Sequence, residues 1–92
     1  MRVEFSEGFL KRLRALSVAE RKAVGEAVNA AVGAWGKPHL HAGVGIRRLY
    51  GPFFECRSGL KSRLIFEWAD GALFFHFEGN HDAVRRFLRD LK

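Results

Sequence analysis

The stretch Phe53–Trp68, FFECRSGLKSRLIFEW, decides the fold. It is among the most apolar and aromatic parts of the chain, yet Glu55, Arg57, Lys61, Arg63 and Glu67 interrupt it. Alternation of apolar and charged residues is the mark of strands with two unlike faces. SGLKS at 58–62 reads as the turn of a hairpin, and Asp70-Gly71 as a second turn, because both central positions of a two-residue hairpin loop favour residues that tolerate positive φ. A two-residue turn at Asp70-Gly71 pairs Trp68 with Leu73, Phe66 with Phe75 and Leu64 with Phe77. On the other face it pairs Glu67 with Phe74, Ile65 with His76 and Arg63 with Glu78. The SGLKS loop sets Arg57 opposite Arg63, Cys56 opposite Leu64, Glu55 opposite Ile65 and Phe54 opposite Phe66. A slip of one residue would carry the charges into the core, so the pattern selects this register. A turn at Gly51-Pro52 extends the sheet, joining Leu49 to Phe54 and Arg48 to Glu55. It leaves Arg47 on the apolar side, near an edge.

Outward from the sheet, Arg2 to Phe5 reads as a short first strand. SEGFLKRLRAL reads as a helix capped by Ser6, with Phe9, Leu10, Leu13 and Leu16 on one face. Ser17 and Glu20 fit a capping box that opens a second helix, from about Val18 to Trp35. Its buried stripe is Val24, Val28, Ala31, Val32 and Trp35, and Gly36 and Pro38 end it. Helices joined so tightly form an antiparallel hairpin. KPHLHAGVG reads as a loop by its Gly and Pro content. The tail NHDAVRRFLRDLK reads as a helix with Val84, Phe87, Leu88 and Leu91 as its stripe, capped by Asn80 or Asp82. The expected architecture is α+β: one domain, residues 1–92, with an N-terminal strand and a helical hairpin on one face of a twisted antiparallel sheet. The apolar sheet face is Leu49, Phe54, Cys56, Leu64, Phe66, Trp68, Leu73, Phe75 and Phe77. The C-terminal helix lies over part of the opposite face or at its end.

Composition narrows the class. The 92 residues are 48% hydrophobic and 28% charged, a globular balance rather than a disordered one. No apolar run reaches the length of a membrane span. The N-terminus carries charges throughout and no signal-peptide core, so export is not expected. The lone Cys56 can form neither an internal disulfide nor, by itself, a zinc site, and the natural setting is a reducing cytoplasm. The net charge is +6 and the pI near 10.3, a balance that favours polyanionic or acidic partners.

The charged sheet face carries the candidate chemistry. Arg48–Glu55 and Arg63–Glu78 read as a cross-strand ion-pair ladder, worth ~0–1 kcal/mol per pair when exposed. Arg57 opposite Arg63 does not fit such a ladder, since like charges at that spacing repel. Two guanidiniums side by side offer paired forks of donors suited to a phosphate. His81, at the junction of the last strand and helix, is either a cap-region residue or an acid–base group within reach of such a phosphate. His39 and His41 lack a third ligand, so neither a metal nor a cofactor is expected. Phe53 and Phe74 either stack bases or meet the C-terminal helix. No Gly-rich phosphate loop, nucleophile elbow or paired-cysteine motif is present.

The element order, with IRRLYGPFFECRSGLKSRLIFEW and EGNHDAVRRFL, resembles the RelE/ParE toxin superfamily of bacterial type II toxin–antitoxin systems. The similar features are Leu49-Tyr50-Gly51, Glu55-Cys56-Arg57, Ser62-Arg63 and a glycine followed by a basic or histidine residue near the last helix. The resemblance implies an antitoxin partner, in a hetero-oligomer, with a homo-oligomer left open. It also implies one of two activities. RelE-like members are endoribonucleases that cut mRNA on the ribosome without a metal, through attack by the substrate's 2′-hydroxyl. ParE-like members inhibit DNA gyrase. A non-catalytic antitoxin-binding domain is a further alternative. In the ribonuclease case Arg63 matches the catalytic strand arginine, Arg57 the preceding strand's arginine, His81 the basic position after the last strand, and Glu55 a position that is lysine or carboxylate. The resemblance implies that Arg57 and Arg63 stabilise the transition state and that His81 acts as acid or base, with Glu55 as its partner or the alternative base. Arg48, Lys61, Arg85 and Arg86 are then expected to hold RNA. Phe53 and Glu55 stand where some ribonuclease members have paired lysines. Phe87, which cannot donate a proton, stands where some have tyrosine.

Overall fold

A computed structural model describes residues 1–91. β1 (Arg2–Phe5) leads into α1 (Glu7–Ala15), α2 (Val18–Ala34) and α3 (Pro38–Val44). β2 (Arg47–Tyr50), β3 (Phe53–Ser58), β4 (Ser62–Ala69), β5 (Ala72–Asn80) and α4 (His81–Leu91) follow. The five strands form one sheet in the order β1-β5-β4-β3-β2. The four later strands are antiparallel neighbours, whereas β1 runs parallel to β5, so the sheet is mixed at one edge.

Both helix starts follow the expected chemistry. Ser6 accepts the Phe9 amide at 3.0 Å, and the Ser17–Glu20 box closes with bonds of 2.9 and 3.1 Å. Asn80 caps α4 by accepting the Ala83 amide at 2.8 Å, which decides between Asn80 and Asp82. The segment expected as a loop is instead the short α3. Pro38 stands in its first turn and Gly45 closes it in the left-handed region at φ 71°. Proline first and glycine last is the order that delimits a helix, although the same two residues anywhere else signal a loop. Trp35 and His41 stack 5.9 Å apart and pin α3 to the end of α2.

One layer of core lies between the helices and the sheet. Phe9, Leu64, Phe66, Leu73 and Phe75 are fully buried, and Cys56, Val24, Ala31 and Ala34 join them. Each large side chain withdrawn from water there contributes about 1.5–3 kcal/mol. Trp68 is at the rim, tilted against Trp35 and partly exposed.

The β3–β4 register is as the sequence specifies, including Arg57 opposite Arg63. Two bulges change the rest. One lies between Arg48 and Tyr50, so Arg47 faces Glu55 and Arg48 faces Phe54. This returns Arg47 to the charged face and removes Arg48 from it. The other bulge follows the Phe66–Phe75 pair: Ile65 faces Phe77, Leu64 faces Glu78, and Arg63 faces Gly79. A bulge inserts one unpaired residue and reverses the facing of all that follow. Phe77 therefore leaves the core side and stacks on Phe87 of α4, 4.9 Å away. Glu78 moves to the helix side, where it accepts from Arg12 of α1 at 2.8 Å. The expected Arg48–Glu55 and Arg63–Glu78 pairs do not form.

Candidate functional site

Four elements meet at one end of the open face. The Gly45 turn, β2, β3 and β4, with the start of α4, surround a cleft of about 450 Å³ lined by Gly45, Ile46, Arg47, Glu55, Arg57, Arg63 and His81. The strands dictate this grouping. Glu55 and Arg57 project from the same face of β3, and the Arg57–Arg63 pairing brings β4's arginine beside them. Opposite Arg63 stands Gly79, where an added Cβ would lie 2.7 Å from the Phe77 ring and 3.0 Å from the Ala83 Cβ. Close packing of α4 on β5 thus requires glycine there, and it sets His81 at the cleft's rim.

Glu55 organises the cations. It is 5% exposed. Its Oε1 accepts from Arg47 Nε at 3.0 Å and Nη2 at 2.6 Å, and its Oε2 lies 4.0 Å from Arg63 Nε. A buried carboxylate is tolerated when paired in this way. Arg57 is exposed and turns the other way. Its Nη2 donates to the carbonyls of Ala42 and Gly43 at 3.3 and 3.4 Å, at the negative end of α3. Its side chain passes over Gly45, where a Cβ would stand 2.6 Å from Nε. The repulsion expected between Arg57 and Arg63 is thereby divided: carbonyls attract one, and Glu55 the other. Three guanidiniums and one carboxylate leave the cleft with a formal surplus of two positive charges.

Glu55, Arg57, Arg63 and His81 are thus brought together, as the sequence led one to expect. The other four candidates stand apart. Arg48 donates to the Gly51 carbonyl at 3.0 Å. Lys61 lies in the β3–β4 turn, beside Ala19, Glu20 and Ala23 of α2. Arg85 is an exposed residue of α4 outside the cleft. Arg86 lines a separate groove of about 730 Å³ between α1 and α4. Arg47 is the cleft residue that the sequence pattern missed. Its only signal was the awkwardness of an arginine on an apolar face, which a bulge in β2 resolves. Among the described residues no group of three or more His, Cys, Asp or Glu side chains could hold a metal. No helix among them is long and apolar enough to cross a membrane.

Comparison with solved structures finds the same architecture. The match to a chain of the RelB–RelE antitoxin–toxin complex of Methanococcus jannaschii has a TM-score of 0.68 and 15% identity, over 91% of this chain and 96% of that one. The fold is RelE-like. The archaeal RelE–RelB complex of Pyrococcus horikoshii OT3 gives a TM-score of 0.65 at 19% identity, covering 86% of this chain and 92% of that one. YafQ of E. coli gives 0.60 at 19% identity, covering 91% and 98%. No family model and no curated protein matches the sequence. The RelE-like fold contains the expected strand, helical hairpin, sheet and terminal helix.

Proposed function

We propose that the chain is the toxin of a type II toxin–antitoxin pair and a metal-independent endoribonuclease that cuts mRNA on the ribosome. The observation that carries this reading is the convergence of Arg57, Arg63 and His81 around one cleft with a surplus of positive charge. The scissile phosphate lies between Arg57 and Arg63. The 2′-oxygen of the preceding ribose attacks phosphorus, the bond to the 5′-oxygen breaks, and a cyclic 2′,3′-phosphate and a free 5′-hydroxyl result. Negative charge builds on the phosphate oxygens in the transition state, where oriented guanidinium donors are most effective. His81 takes the proton from the 2′-hydroxyl or gives one to the leaving 5′-oxygen, and water in the open cleft serves the other oxygen. Glu55 has Oε1 occupied by Arg47, so we assign it to positioning the arginines rather than to proton transfer.

RelE of the two archaeal complexes was solved with RelB. We assign an antitoxin of this kind to the present chain as well. With a charge of +6, the chain suits an acidic partner segment.

The test is cleavage of mRNA on translating ribosomes by the native chain, Arg63→Ala and His81→Ala. We expect both variants to lose activity; equal cleavage by all three would overturn the assignment. Absence of cleavage by the native chain, with inhibition of supercoiling by gyrase, would replace it with the ParE-like alternative.

A further inference from the structure

Beside the cleft, the same sheet face carries a row of rings. Tyr50 of β2 stacks on Phe53 of β3 with centroids 5.8 Å apart. Phe53 meets the His76 ring of β5 at 5.8 Å, and His76 stacks on Phe74 at 6.4 Å. Glu67 of β4, across from both Phe53 and Phe74, bonds His76 Nε2 at 2.9 Å and fixes that ring. The row crosses the sheet from β2 to β5. The ring contact of α4 with this face is made farther along β5, where Phe87 stacks on Phe77. Tyr50 is 39% exposed, and Phe53, Phe74 and His76 are all partly exposed.

The row is continuous with the cleft. Phe53, Glu55 and Arg57 are alternate residues of one strand on one face, so Phe53 lies about 7 Å from Glu55 and about 13 Å from Arg57 along β3. A polyanion whose backbone enters the arginine cleft can run out over this surface in one direction. Bases have apolar faces, and partly exposed rings beside a cationic cleft match an unpaired strand. A duplex would keep its bases inside and leave the rings without partners.

We infer that Phe53 and Phe74, with Tyr50 and His76 beside them, form a base-stacking platform for single-stranded RNA flanking the scissile phosphate. This rests on the ribonuclease reading and adds to it a second subsite, which takes bases while the cleft takes phosphate.

The test measures equilibrium binding to a fluorescein-labelled 2′-O-methyl oligoribonucleotide, which cannot be cut for lack of a free 2′-hydroxyl. An abasic oligomer of the same length and charge is the control. The native chain is expected to prefer the base-bearing strand by roughly 5–150-fold if one base stacks, and by more if two do. Phe53→Leu and Phe74→Leu should each shrink that preference, with circular dichroism confirming that both fold. Phe53→Trp should retain it. Equal affinity for the two oligomers overturns the platform, and so does a preference unchanged in the leucine variants. A native dimer in light scattering that Phe53→Leu dissociates would give the row to a second copy of the chain and overturn it as well. Failure of the ribonuclease reading looks different: the base preference is present, but the native chain does not cut mRNA on ribosomes.

Discussion

Glu55 and Glu78 are the two buried carboxylates of the described residues, 5% and 3% exposed, and they sit in neighbouring parts of one sheet. Their surroundings differ. Glu78 lies on the helix-covered face and accepts from one arginine, Arg12, at 2.8 Å. Glu55 lies on the open face, is bonded to Arg47 and stands near Arg63, with Arg57 beyond. The first is a single pair that ties α1 to β5, at the edge of the groove between α1 and α4. The second is a cluster on the open face with more positive than negative charge. On the proposed reading, the same residue type at the same burial is structural on one face of a sheet and part of the site on the other. What separates the two is the number of arginines within 4.0 Å of the carboxylate, two at Glu55 and one at Glu78.

Removing the arginine on each side should break the comparison in opposite ways. Arg63→Ala has the largest expected effect: cleavage falls by about 10²–10³-fold, the loss typical of one transition-state donor. Its thermal melting should barely change. Arg12→Ala should do the reverse, lowering unfolding free energy by about 1–3 kcal/mol because Glu78 is left buried without its partner. Denaturant titration measures that loss, and cleavage per folded molecule should stay at the native level. Equal stability losses in the two variants would erase the distinction between the faces.

A third prediction concerns Cys56, which packs on the helix side of β3. Burial, aided by the charge of Glu55, pushes its thiol up to about 12. The unfolded chain releases this proton near the usual thiol value of 9.0, whereas the folded chain retains it. From pH 9 upward the unfolded state therefore binds fewer protons, and stability falls as pH rises, by up to ~1.4 kcal/mol per pH unit. Below pH 9 the contribution is constant. Stability curves of the native chain and Cys56→Ala should run parallel to pH 9 and converge above it. The smallest effect is expected of Arg48→Ala. Its side chain bonds only a turn carbonyl among the described contacts, so stability should move by less than about 0.5 kcal/mol and cleavage should hold. A loss of cleavage matching that of Arg63→Ala would extend the cleft to Arg48.

The parts of the fold that repeat were legible in the sequence. Ser6, Ser17 and Glu20 announced the helix starts, Asp70-Gly71 the last hairpin, and FFECRSGLKSRLIFEW its own register. Asp70 and Gly71 both take positive φ, as that hairpin turn requires. What the pattern did not show were departures from period two. A bulge leaves no residue signature of its own, because it is stabilised by distant packing: Phe77 against Phe87, Glu78 against Arg12. The site was half legible for the same reason. Glu55, Arg57 and Arg63 lie on β3 and β4, whose mutual register held, and His81 directly follows β5. Arg48 and Arg47 exchanged places at the β2 bulge.

The β5 bulge also governs how this chain should be aligned with others at identities below one in five. A relative lacking the extra residue needs its gap at His76, within the strand. An aligner left to itself would put that gap in the Asp70-Gly71 turn, where insertions are ordinarily tolerated. It would then shift Ala72 to His76 by one residue, equating core positions such as Leu73 and Phe75 with open-face residues of the relative, although Glu78, Gly79 and His81 would still align.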